Sequence, residues 1–264
     1  MATSLWIPVL FALFVWWFST GIILLVVRRA DKKGGDAHRV AALASLPVLA
    51  LGVYGVIASV PNASIAGAYI GFLAALAIWG WIELAFLTGT ITGPSKEECP
   101  AGVMGMDRLS RAWATIAHHE IILAVGLVLL ALYSAGQANQ IALYTYLVLF
   151  VARISAKLNI FFGVPQINIE FLPAPLQHLK SYFRQAPITP AFPAAITLLT
   201  FSAACLIFQV TQTNTHALAV GFTLLATLTT LALLEHWLLL LPLPDAKLWR
   251  WMLPASDAQT TETQ

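Results

Sequence analysis

Apolar positions in this chain run together instead of alternating with polar ones. Seven such runs stand out: Trp6–Val27, Val40–Val60, Gly67–Gly89, Ala112–Ser134, Ile141–Phe162, Ala191–Val210 and Leu218–Leu241. A hydrocarbon core of roughly 30 Å takes about 20 apolar residues of helix to cross, so each run predicts a membrane-spanning helix. The fifth is interrupted by Arg153 and Lys157. The fold class expected is all-α, a polytopic bundle of seven transmembrane helices. An odd number of spans excludes a simple two-half transporter.

Composition changes the picture only by hardening it. The 264 residues are 59% hydrophobic and 10% charged, with a mean hydropathy of +0.80; soluble domains carry about 25% charged residues. The first run is not read as a secretory signal: Met1–Leu5 has no Lys or Arg, and "VVRRADKK" follows the apolar stretch directly. The domain expected is 1–254, with a Pro-rich interfacial segment at 163–193 and a disordered polar tail at 255–264. Pro165, Pro173, Pro175, Pro187, Pro190 and Pro193 break any long helix in that segment. Within it, Leu176–Phe183 is expected to form two turns on the membrane surface, Leu176, Leu179 and Phe183 inward and Lys180 outward. Trp249 and Trp251, after the seventh span, are placed at the headgroups.

Charge sets the direction of the chain. The loops "PNASIA", "SAGQANQ" and "TQTNTH" contain no Lys, Arg, Asp or Glu, and all 14 basic residues fall on the other side. The positive-inside bias makes that side cytoplasmic, with the N-terminus outside and the C-terminus inside. The protein is therefore expected to be multi-pass, with its basic side in the cytoplasm. A net charge of +2 gives no basis for nucleic-acid binding, and Cys99 and Cys205 form neither a disulfide framework nor a zinc motif.

Helical rise then places the remaining ionisable residues at one depth. Glu83, the run His118–His119–Glu120, and the pair Glu235–His236 each lie about seven residues, or ~10 Å, inside the cytoplasmic boundary. Arg153 and Lys157 lie at or just outside that level, four apart on one helix face, and can neutralise two of Glu83, Glu120 and Glu235. Charges in hydrocarbon pair, face the bundle interior or line a wet cavity. Three readings stand: an ion-pair layer that fixes helix packing, a cofactor or metal site from Glu83, His119, Glu120, Glu235 and His236, or a proton or ion path. Successive helical residues turn by about 100°, so His118 and Glu120 diverge by about 200° and only His119 with one neighbour can face inward. No Glu-x-x-His or His-Glu-x-x-His spacing occurs. His178 is read as interfacial, His216 as solvated and His38 as a loop residue.

Four blocks carry a resemblance: "HHEIILA" (118–124), "ARISAKLNIFFGVPQINIEFLP" (152–173), "HLKSYF" (178–183) and "LEHWLLLLPLPDAKLWRWML" (234–253). They resemble the photosynthetic complex assembly protein 2 family, multispanning proteins of bacteriochlorophyll-producing bacteria encoded near the reaction-centre H subunit. The resemblance runs from the third span onward. It implies a bacterial inner membrane, cytoplasmic or intracytoplasmic, and a role in assembling the photosynthetic apparatus or regulating its pigment supply, and brings no catalytic residues. A bacteriochlorophyll-type tetrapyrrole takes an axial His, for which His119 or His236 could serve. The partners implied are the lipid bilayer and reaction-centre or light-harvesting subunits or pigment-biosynthesis enzymes. The competing expectation is an integral membrane enzyme acting on a pigment or quinone through an inner-side His/Glu metal site.

Overall fold

The structure, a computed structural model, describes residues 5–167, 169 and 172–241. Seven of its helical units are long and apolar enough to cross a membrane, and no strand occurs among the described residues. The helices are α1 (Trp6–Lys33), α2 (Ala37–Ala44), α3 (Leu46–Ser59), α4 (Ile65–Leu87), α5 (Gly105–Ser134), α6 (Ile141–Phe162), α7 (Ala191–Gln212) and α8 (His216–Leu238). A 3-10 segment, Ala174–Tyr182, lies between α6 and α7. Tail residues 255–264, and the aromatic pair Trp249 and Trp251, lie outside the described residues.

Four of the expected spans keep their bounds to within three residues, and α1 runs past Val27 to Lys33. Two differences are larger. The second span is two helices end to end, because Pro47 lacks the amide hydrogen that would continue the ladder of α2 into α3. α5 begins at Gly105 instead of Ala112, adding polar turns with Asp107 at the helix start, where a negative charge suits the dipole.

α4 and α8 form the centre: each is 56% buried over its most apolar stretch, against 11% for α1. Leu224 and Leu225 of α8 pack on Phe72 of α4, Ile141 of α6 and Ala12 of α1. A second cluster joins α4, α5 and α6, where Trp79 meets Tyr146 edge to face with ring centroids 5.1 Å apart. The Tyr146 hydroxyl, wholly buried, donates to the Leu123 carbonyl at 3.2 Å, which satisfies it without water.

The two ends of the bundle are built differently. At the uncharged end, Asn139 Nδ2 donates to the carbonyls of Ser59 (3.0 Å) and Asn62 (3.1 Å), and its Oδ1 accepts from the Ile141 amide at 3.0 Å. One buried amide thus ties the α3–α4 and α5–α6 turns. At the basic end the Pro-rich segment folds back onto the helices. The Val164 amide bonds the Arg184 carbonyl at 3.2 Å, and Gln166 bonds Leu239 at 3.0 Å. Leu176 and Leu179 are buried against Phe86 of α4, and Lys180 is exposed. The segment is a cap on the protein: its leucines enter a protein core instead of lipid. His178, expected at the interface, is also turned inward. Burial, with Lys96 nearby, holds its imidazole below the usual pKa.

Small residues let α3 approach α4. A Cβ on Gly52 would stand 2.8 Å from Ile78 Cγ1 and 3.0 Å from the Ala74 carbonyl oxygen, and one on Gly55 would stand 2.9 Å from Ala74 Cβ. Close backbone approach of this kind is a principal source of helix association in bilayers. Gly52→Leu should therefore push α3 off α4 and destabilise the protein by about 1–3 kcal/mol, read as a lowered thermal midpoint in detergent. An unchanged midpoint would mean that α3 is not held there.

Candidate functional site

The charged layer forms at the basic end, and three neighbouring helices build most of it. Glu83 comes from the last turns of α4, His119 and Glu120 from α5, Arg153 and Lys157 from α6. Helical phase decides which part of His118–His119–Glu120 enters: His118 is exposed on the outer face, whereas His119 is 0% and Glu120 4% exposed.

The contacts form two linked ion pairs. Arg153 Nη2 donates to Glu83 Oε2 at 2.8 Å. Lys157 Nζ pairs with Glu120 Oε1 and also lies 3.2 Å from His119 Nδ1. The same Nδ1 lies 3.3 Å from Glu120 Oε1, so the imidazole sits against both members of that pair. Its Nε2 faces Glu83 Oε1 at 3.7 Å, an electrostatic contact too long for a hydrogen bond. His119 thus joins the two pairs. Phe86 supports them from below, its ring centroid 4.3 Å from that of His119 and 5.1 Å from Lys157 Nζ.

Backbone geometry fixes the level of His119. The loop after α4 turns back along α5, and the His119 amide donates to the Thr92 carbonyl at 3.0 Å; Ser95 N bonds the Ala114 carbonyl at 3.1 Å. Gly93 makes this possible, since any Cβ there would run into the backbone of Ala114, Thr115 and Ile116. Arg108 fastens the surrounding pieces. Its guanidinium donates to the carbonyls of Phe161 (3.0 Å) and Tyr182 (2.8 Å) and stacks 4.1 Å from the Phe161 ring centroid. The Tyr182 hydroxyl donates to the Glu97 carbonyl at 3.1 Å. Phe86, Thr92, Gly93, Arg108 and Tyr182 were not among the sequence candidates. A small-residue loop, "TGTITG", and a cation just before the fourth apolar run were the available signals.

Glu235 and His236 stand apart from these contacts. Glu235 accepts from Trp16 Nε1 of α1 at 3.1 Å, and among the described residues it lies within ion-pair distance of no cation. His236 Nδ1 donates to the Ala232 carbonyl at 2.8 Å, and Nε2 lies 2.7 Å from the Ser155 hydroxyl. Ser155 is two residues from both Arg153 and Lys157, about 200° around α6, so His236 meets the opposite face of that helix. Among the described residues, no group of three or more His, Cys, Asp or Glu is arranged to hold a metal ion. The five candidates do not gather at one point: Glu83 and Glu120 pair with Arg153 and Lys157, and Glu235 and His236 meet Trp16 and Ser155 instead.

Two cavities flank the layer. One, of about 340 Å³, lies between α1, α4, α6 and α8 and is lined by Trp16, Trp79, Glu83, Arg153 and Glu235 among others. The other, of about 330 Å³, lies under the 3-10 segment with Arg153 and Lys157 at one end. Neither His119 nor His236 lines either one, and the buried His119 ring lies tilted against Phe86.

The buried pairing predicts strong coupling. Glu120→Gln strands the Lys157 charge and should cost about 3–5 kcal/mol, part of which Lys157→Met in the same chain recovers. His118→Ala, on the outer face, should leave the thermal midpoint unchanged. Thermal unfolding of the two single variants and the double in detergent measures the coupling; strict additivity would rule out the pair.

No solved structure matches the chain. It is 46% identical over 252 residues to an uncharacterized 30.4 kDa protein in the puhA 5′ region of Rhodobacter capsulatus, covering 96% of this chain and 92% of that one. Residues 2–260 match the family described as protein of unknown function DUF3623. With that match spanning nearly the whole sequence, the chain belongs to the DUF3623 family.

Proposed function

We propose that this protein is an integral-membrane assembly or accessory factor for the bacterial photosynthetic apparatus, supporting or regulating reaction-centre assembly or bacteriochlorophyll supply. The observation that carries the reading is similarity along nearly the whole chain to a protein of the puhA 5′ region of Rhodobacter capsulatus. The blocks at 118–124, 152–173, 178–183 and 234–253 support it, since they resemble a family tied to the same apparatus. The charge layer suits a scaffold: Glu83, Glu120, Arg153 and Lys157 each hold a partner within the protein. Reaction-centre or light-harvesting subunits, or pigment-biosynthesis enzymes, are the partners of this reading, met through the outward helix faces in the inner membrane. Deleting the gene in its native host should lower the near-infrared absorbance of the assembled pigment complexes, and the wild-type gene should restore it. A loss of complexes with free pigment retained indicates assembly; a loss of total pigment indicates supply. Unchanged absorbance in the deletion strain would overturn the proposal.

The basic end is assigned to the cytoplasm on the positive-inside bias. Reporter fusions after Val60, Gln140 and Thr215 should then read periplasmic, and those at Gly34, Pro100 and Gln185 cytoplasmic. A cytoplasmic signal at Gln140 would reverse the assignment.

A further inference from the structure

The cavity under the 3-10 segment has a polarity that specifies its occupant. Its volume of about 330 Å³ is at the lower end of the ~300–1,000 Å³ typical of small-ligand pockets. Its walls are apolar: Phe86, Ile116, Ile160, Phe161, Leu176 and Leu179 are representative. Among the described residues, the polar side chains that reach it are Thr115, Tyr182, Arg153 and Lys157. Thr115 and Tyr182 have already given their hydroxyl hydrogens to the carbonyls of Ala112 (2.6 Å) and Glu97 (3.1 Å).

Arg153 and Lys157 retain donors. An ammonium has three N–H groups and a guanidinium five. Lys157 directs two at Glu120 and His119, leaving a third. Arg153 directs Nη2 at Glu83, which leaves further N–H groups on its two terminal nitrogens. Spare donors at one end of an apolar chamber call for an oxygen acceptor on an apolar body. Charge narrows the choice. Glu83 and Glu120 already balance Arg153 and Lys157, so an anion would bring an uncompensated charge into a low-dielectric site, which is expensive. A carbonyl oxygen satisfies the same donors with no net charge.

We propose that this chamber binds a neutral lipophile, its carbonyl oxygen against Lys157 and Arg153 and its apolar body among Ile116, Ile160, Phe161 and Phe183. The Pro-rich segment is then one wall of the site, since Leu172, Leu176, Leu179 and Phe183 line it. This site stands independently of any role in photosynthesis.

Native mass spectrometry of the full chain, released from detergent micelles, tests the assignment with three probes of matched chain length: a methyl ketone, an n-alkane and a fatty acid. A hydrogen bond to a charged donor should make retention of the ketone about tenfold or more better than that of the alkane, with the fatty acid no better than the ketone. Ile116→Trp, which fills the chamber from α5, should abolish ketone retention at an unchanged thermal midpoint. The double variant Glu120→Gln/Lys157→Met removes one charge pair together, and should lower ketone retention several-fold while the alkane is unaffected. Equal retention of ketone and alkane, preference for the fatty acid, or full retention by Ile116→Trp would overturn the proposal. If Ile116→Trp fails to fold, a ketone carrying a diazirine decides on the unaltered chain: labelling of Ile160, Phe161 or Leu176 supports the site, and labelling confined to other residues refutes it.

Discussion

A charge inside hydrocarbon must be neutralised by another charge, and that requirement organises one end of this protein. A lone ionised side chain near the middle of a bilayer costs roughly 2.5–3.5 kcal/mol on insertion scales and more by other measures. Four lie in one layer here, and the pairs Glu83–Arg153 and Glu120–Lys157 exist only if α4, α5 and α6 meet at a common depth. Each nearby feature serves that registration. Gly93 lets the loop lie against the α5 backbone, Thr92 accepts the His119 amide, and Phe86 supports both His119 and Lys157. Arg108 then holds the start of α5 to the end of α6 and to Tyr182.

The depth of this layer was legible in the sequence because helical rise is nearly constant and the apolar runs are well bounded. So was the division of His118 from His119, which follows from the turn per residue. Which carboxylate would meet which cation was not legible. That choice depends on how far α4 and α5 are rotated toward α6, and rotation about an axis leaves little trace in a helix that is apolar all round, as α4 is. The same ignorance grouped His236 with His119 by depth, although Ser155 draws it to the far face of α6. What the inward leucines of the 3-10 segment would meet was not legible for another reason. Leucines at helical spacing beside a basic residue look alike whether they face lipid or protein, and only the position of Phe86 distinguishes the two.

The contrast between the two ends carries the argument further. The uncharged end is closed by Asn139, whose single amide satisfies three backbone groups from two turns, with no ionisable side chain involved. Polar closure without charge was therefore available to this fold. In the layer near the basic end the chain instead places the cations Arg153 and Lys157 with the carboxylates of Glu83, Glu120 and Glu235, leaves Glu235 bonded only to Trp16 among the described residues, and opens a cavity on each side of Arg153. If packing alone were the purpose, replacing matched ion pairs by apolar residues of similar volume would be neutral or stabilising. A matched pair differs from such a replacement in what it can show to a cavity: a cation held by its carboxylate still has N–H groups to spare, and it offers them without carrying net charge into the site. Arg153 does this while lining both cavities, so the ion-pair layer is at once the element that registers three helices and the polar wall of the space beside them.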